Sequence, residues 1–191
     1  MYDNIMNTKN FNNHSVHVRF SVSDGGDDNI IIHCHSNYEI LYFIRGNVRY
    51  IIEGAEYSLT AGSLLLIPPN VVHGVKACGD GTYQRCVLDI YPGGFDLDGE
   101  NLLRRVFNSK CYYENTDGRG IGNAFDDIFN AAILGDWALN ISVQALLIKI
   151  LLMQDTLEAS EPKIAASGAV SQIITYINEN FTEKITLDDI S

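Results

Sequence analysis

Residues 33–73 read HCHSNYEILYFIRGNVRYIIEGAEYSLTAGSLLLIPPNVVH, and this stretch decides the fold. Short β-branched and aromatic runs alternate with turn residues at nearly regular intervals. The same texture extends from about Val16 to Tyr91, which predicts an antiparallel sandwich or barrel. Arg45-Gly46-Asn47-Val48 and Glu53-Gly54-Ala55-Glu56 each place glycine first in a two-residue loop, the sequence form of a type II′ hairpin turn. Read that way, they make a three-strand meander. Arg45 then pairs with Val48, Phe43 with Tyr50 and Leu41 with Ile52, and Tyr57 and Leu59 share that face.

The histidines fall on the same alternation. His33, His35 and Glu39 have one parity, so on an extended strand they share a face. A straight strand from His33 to Arg45 would run roughly 40 Å, too long for a small domain, so a bend is expected near Ser36-Asn37. His73 follows the turn at Pro68 to Asn70 and brings a third imidazole to the same pocket. Three imidazoles and a carboxylate suit Zn, Ni, Mn or Fe as a divalent ion; the other reading is a polar lining that needs no cofactor. Hairpin pairing adds Tyr50 and Tyr57 to the candidate ligand pocket, and the first strand adds Arg19. Aromatic rings beside polar groups suit a sugar or another small polar ligand. Cys34 has the opposite parity and reads as packing, and His14 and His17 receive no role.

The spacing His33-x-His35-x3-Glu39-x6-Gly46, followed by Gly62-x5-Pro68-x4-His73, resembles the paired motifs of the cupin superfamily. That resemblance implies a double-stranded β-barrel over roughly residues 16–91, in which two histidines and a glutamate from the first motif and one histidine from the second can hold a metal. The second motif departs from the pattern at Asn70, where glycine is usual, and at Ala77. Asparagine still permits a left-handed backbone there.

Beyond Pro92-Gly93-Gly94 the apolar period lengthens towards 3.6. Short helices are predicted over Asn101–Phe107 and Gly122–Leu134, the second through Phe125, Ile128, Phe129 and Ala132. A longer helix, capped by Asp136, is predicted from about Trp137 to Glu158. The last two form an antiparallel pair. Residues 159–167 read as a linker, and a further helix follows over Ala169–Asn180 through Ile173, Ile174 and Ile177. Thr186-Leu187-Asp188-Asp189 resembles a capping box for one more helix. A helix only just begun at Ser191 buries almost nothing, so the chain reads as a fragment of a longer protein.

Tyr176-Ile177-Asn178-Glu179-Asn180-Phe181 and Leu187-Asp188-Asp189-Ile190-Ser191 resemble the opening of the DNA-binding domain of AraC-family bacterial transcription regulators. The barrel fits that family's sensor half. The resemblance implies an effector-binding barrel at residues 1–95, helical dimerisation at 96–158, the linker at 159–167, and the truncated start of a helix-turn-helix domain at 168–191. A homodimer would form through Ile141, Ala145, Ile148 and Leu152, and promoter DNA would be contacted only by the absent C-terminal domain.

Bulk properties agree with a sensor that does not itself grip DNA. The chain has 191 residues, 46% hydrophobic and 19% charged, with a net charge of -11. Phosphate binding rests on Lys and Arg replacing counterions, so this charge disfavours nucleic acid as a direct partner. The four cysteines form no CxxC pair, the N-terminus shows no secretory signal, and no apolar run reaches about 18 uninterrupted residues. The expectation is a cytoplasmic, non-enzymatic protein with no membrane partner. The alternative is a small cupin metalloenzyme, a dioxygenase or sugar isomerase, using His33, His35, Glu39 and His73.

Overall fold

The computed structural model describes residues 9–24, 31–79, 81–154 and 156. Among these residues ten strands form two sheets: β1 (Asn10–Asn12), β2 (Val16–Asp24), β3 (Ile31–His33), β4 (Tyr38–Arg45), β5 (Val48–Ile52), β6 (Ala55–Ser58), β7 (Leu64–Ile67), β8 (His73–Ala77), β9 (Thr82–Ile90) and β10 (Tyr112–Tyr113). One sheet has the order β1-β2-β9-β4-β7-β10 and the other β3-β8-β5-β6. All pairings are antiparallel. Three α-helices are present among the described residues, α1 (Leu97–Phe107) between β9 and β10, and α2 (Ile121–Ala132) and α3 (Asp136–Gln154) after β10. This is the expected cupin-type β-barrel with appended helices, mainly β with α.

Alternation along the strands builds two cores. Leu41, Phe43, Val48, Tyr50, Ile52, Tyr57, Leu59, Leu65, Ile67 and Val87 face one another between the sheets. Residues of opposite parity on the larger sheet, including Val18, Ile40, Tyr42, Leu66, Cys86 and Leu88, face outward and pack under the helices. A strand buried on both faces reads as a nearly continuous apolar run, and Ile40 to Phe43 and Leu64 to Ile67 have that form.

The expected three-strand meander does not form. β4 pairs with β7 and β9, whereas β5 pairs with β6 and β8, so the chain crosses between sheets at Gly46. Gly46 has φ of +121°, and a Cβ there would sit 2.4 Å from Tyr83 Cβ, so glycine is required by both backbone and space. The second turn is a true hairpin, but its loop is Glu53-Gly54, shifted by one residue, with Ile52 opposite Ala55 and Tyr50 opposite Tyr57. Both loop residues have positive φ, the form of a type I′ turn. Phe43 and Tyr50 still share a core, because opposing sheets bury the same parity that a hairpin would have paired.

The helices start earlier or end sooner than periodicity indicated. The Asp96 carboxylate accepts from Gly99 N at 2.9 Å, which starts α1 before Asn101. The second helix begins at Ile121 and closes at Ala132, and Asp136 is the first residue of α3 where a preceding cap was expected. Residues Ile133 to Gly135 return the chain so that α2 and α3 pack together. α3 buries Leu139, Val143, Leu146, Leu147 and Ile150, while Trp137, Ile141, Ile148 and Leu152 are exposed along another side. It is apolar on two faces and has the length and composition of a membrane-crossing helix, although one of those faces covers the barrel. The expected linker at 159–167, the helix at 169–180 and the start of a helix-turn-helix domain lie outside the described residues.

Candidate functional site

The bend expected near Ser36-Asn37 is what assembles the site. β3 ends at His33 in the smaller sheet and β4 starts at Tyr38 in the larger one. His33 and Glu39 are therefore presented from opposite walls, with His35 on the connecting segment. His73 lies directly opposite His33 in the β3–β8 pair. Asn70 adopts φ of +61° in the turn before it, the left-handed conformation anticipated for that position, and its amide donates to His35 O at 2.8 Å. This contact ties the two motif segments together.

One ligand atom from each of His33, His35, Glu39 and His73 lies within 4.8 Å of the others. The imidazole centroids of His33 and His73 are 4.3 Å apart, and those of His35 and His73 are 4.9 Å apart. Glu39 Oε2 lies 3.3 Å from His35 Nε2 and 3.8 Å from His73 Nε2. Tyr50 donates its hydroxyl proton to the other oxygen, Oε1, at 3.2 Å. Backbone carbonyls hold the two better-buried rings: His35 Nδ1 faces Asn37 O at 3.1 Å and His73 Nδ1 faces Val71 O at 2.9 Å. Nδ1–H donation leaves the His73 Nε2 lone pair facing the centre, whereas His35 Nε2 donates to Glu39 and would offer its lone pair to a metal only after giving up that proton.

Electrostatics follow from that packing. Burial raises the Glu39 carboxyl, but the His35 hydrogen bond and the charges of His73, His35 and Arg19 outweigh it, so its pKa is lowered. His35 is raised, chiefly by its hydrogen bond to Glu39. His73 is lowered, because burial disfavours the imidazolium. The Tyr50 hydroxyl is pushed well above its ordinary value by burial and then by the Glu39 charge, so it remains a hydrogen-bond donor.

His73 Nε2 is buried and has no hydrogen-bond partner. An orphaned acceptor in the interior costs about 1–3 kcal/mol, and a cation would satisfy it. The donor set, three imidazoles and one carboxylate with ring nitrogens fixed from behind, fits a divalent transition metal.

Arg19 and Tyr57 take different places. Arg19 projects from β2 into the barrel and is bound to Asp89, which sits opposite Glu39 across the β4–β9 pair. Its charge reaches Glu39. Tyr57 belongs to the apolar interior: its hydroxyl lies 3.2 Å from Cys111 Sγ and its ring packs edge-on against Tyr112. Sequence reasoning missed Asp89 and gave His17 no role, yet His17, Asp89 and Glu39 form one row across β2, β9 and β4. His17 Nδ1 lies 3.5 Å from Asp89 Oδ2. The available signal was the alternation Tyr83, Arg85, Val87, Asp89 in β9, whose polar members resemble a solvent-facing set.

Barrel and site together define a cupin-type ligand-binding domain. The AraC-like ligand binding domain family matches residues 20–154, and the chain belongs to that family. No curated protein matches it. Among solved structures, it is similar to a cupin protein from Bacteroides fragilis, with 23% identity over 43% of this chain and 70% of that chain, at a TM-score of 0.38. It is also similar to a cupin family protein with a double-stranded β-helix fold from Methanocaldococcus jannaschii (18% identity, 42% and 73% coverage, TM-score 0.38). A third is salicylate 1,2-dioxygenase from Pseudaminobacter salicylatoxidans (20% identity, 44% and 24% coverage, TM-score 0.38).

Proposed function

We propose that this chain is the effector-sensing and dimerising region of an AraC-type transcription regulator acting in the cytoplasm. In this reading a small molecule binds inside the barrel, and a C-terminal DNA-binding domain reads the result at a promoter. The observation that carries the sensing role is the buried, partnerless His73 Nε2 aimed into a polar interior site, in a domain of the AraC-like ligand-binding family. His33, His35, Glu39 and His73 would hold a divalent metal, which supplies a Lewis-acidic anchor for an oxygen of the effector. Tyr50 fixes the Glu39 carboxylate, and the carbonyls of Asn37 and Val71 fix the His35 and His73 rings.

Dimerisation is supported by α3. Ile141, Ala145, Ile148 and Leu152 are exposed at spacings of three or four residues on the side away from the barrel, the pattern of a helical seam. Ala145, Ile148 and Leu152 also line a groove of about 370 Å³ between Arg119 and Lys149.

A fusion of residues 1–191 to a DNA-binding domain that requires dimerisation tests the reading. A reporter under that domain responds to an effector found by ligand screening, and the response disappears in Glu39→Gln. A fusion that stays inactive, or a response indifferent to Glu39→Gln and His73→Ala, removes the site from sensing. The same His/Glu set favours a second reading, a non-regulatory cupin metalloenzyme; sustained turnover by the metal-loaded chain would select it.

A further inference from the structure

Arg85 is the interior cation that the His/Glu centre leaves unused. It points inward from β9, between Ser21 on β2 and Phe43 on β4, in the same alternation as Tyr83, Val87 and Asp89. Its Nη1 donates to Ser23 Oγ at 3.0 Å, and its guanidinium carbon lies 4.8 Å from the Tyr83 ring centroid. No carboxylate among the described residues forms an ion pair with it. Its charge nevertheless reaches Tyr50, the residue that holds Glu39.

Charge accounting separates Arg85 from Arg19. Arg19 is already bound to Asp89, and Glu39 is engaged by His35 and Tyr50. A guanidinium offers five N–H donors in a planar fork, of which Ser23 takes one while Tyr83 covers a face. With a divalent ion at the quartet, the described residues of the interior carry uncompensated positive charge, and Arg85 is the part of it without an acidic partner among them. Guanidinium and carboxylate match as two parallel hydrogen bonds.

We propose that Arg85 anchors the carboxylate of an organic acid that enters the barrel with its other end directed at the His33/His35/Glu39/His73 centre. This assigns the effector class of the sensing site and rests on the reading above. Arg85 lies four residues along β9 from Asp89, which is level with Glu39, a separation of about 13 Å along the strand. Inward-reaching side chains shorten that span, and a ligand bridging it must be several bonded atoms long, which excludes oxalate-sized chelators.

The test titrates straight-chain dicarboxylates, from malonate to suberate, into the cobalt-loaded 191-residue chain by calorimetry. Each is compared with the monocarboxylate of equal length. At one chain length the dicarboxylate should bind about tenfold or more tightly than its monocarboxylate. Arg85→Met should abolish that preference and Arg85→Lys should retain part of it. The cobalt absorption spectrum and melting temperature of Arg85→Met should match those of the parent, which separates loss of the anchor from loss of fold or metal. No saturable binding of any dicarboxylate, no preference at any length, or a preference unchanged in Arg85→Met overturns the proposal. An Arg85-dependent preference without cobalt binding leaves it standing and refutes the metal reading; cobalt binding without any Arg85 effect does the reverse.

Discussion

Substituting Glu39 by Gln is the sharpest test of the metal reading, because it keeps the side-chain shape and a hydrogen-bond acceptor for Tyr50 while removing the carboxylate of the His/Glu quartet. An ion that binds the folded chain but not the unfolded one stabilises it by about 2.7 kcal/mol when supplied at 100 times its dissociation constant. For a chain of this length, each kcal/mol moves the melting temperature by about 2–4 °C, so the parent protein should gain roughly 5–11 °C. Replacing a direct charged ligand should weaken binding by at least the ~100-fold that removal of an outer hydrogen-bond partner can cost. At the same ion concentration the stabilisation then falls to about 0.4 kcal/mol, or roughly 1–2 °C. Differential scanning calorimetry with Zn, Ni, Co and Mn measures both shifts, each against its own metal-free baseline, so any effect of Glu39→Gln on the apo fold cancels. Equal shifts in the parent and in Glu39→Gln would refute the assignment, since ions bound at exposed histidines such as His14 would give that result.

Tyr50→Phe removes the donor to Glu39 Oε1 and should cost about 10-fold in metal affinity. In the same calorimetric experiment about 1.4 kcal/mol of stabilisation should survive; full retention of the parent shift would show that Tyr50 only packs. Ile148→Asp with Leu152→Asp places charges on the exposed side of α3, so sedimentation equilibrium should report monomer while the melting temperature changes little, as surface substitutions usually stay within ~0.5 kcal/mol. An unchanged mass would move the dimer interface elsewhere. The Cys86 thiol is buried and pushed up to about 12, so at pH 8 a disulfide reagent should label Cys34, Cys78 and Cys111 well before Cys86. Four thiols reacting at one rate would contradict the packing of β9 beneath the helices.

The site was more legible than the sheet. The motif spacing and the expected bend picked out His33, His35, Glu39 and His73, although they stand on three strands and a connecting segment and not on one strand face; alternation fixes only the direction of the strand residues among them. Strand partners were not fixed by the same information. Phe43 and Tyr50 meet in the interior whether Gly46 turns a hairpin or carries the chain to the opposite sheet, and both routes give the same apolar pattern. The contact that decides between them, Gly46 against Tyr83, joins residues far apart in sequence. Arg85 and Asp89 escaped notice for a related reason. A polar barrel interior has the period of a solvent-facing surface, so composition alone assigns those positions to the wrong side. On α3, apolar residues all round the helix signalled two buried faces; Ile141, Ala145, Ile148 and Leu152 were assigned to the side away from the barrel, and with Leu146 and Leu147 packed under the sheet those four are the exposed set.

These faces give the sensing proposal a physical route. β4 carries Glu39 inward, while Ile40 and Tyr42 on the same strand point outward into the helix-packed core. The Tyr42 ring stacks on Phe125 of α2 with centroids 5.7 Å apart, and its hydroxyl contacts Asp117 just before that helix. A Cβ at Gly122 would fall 2.6 Å from the Tyr42 hydroxyl, so α2 sits against this ring with no slack. α2 in turn packs on α3, whose opposite side carries Ile141, Ile148 and Leu152. A ligand at Glu39 changes that outer side only if it binds two arrangements of β4 and the helices unequally. Close packing transmits a small strand displacement to whatever touches it and does not absorb it. Among the barrel's strands, β4 both presents a residue of the His/Glu centre and stacks directly on a helix of the α2–α3 pair, which makes it the element whose displacement would couple effector to dimer.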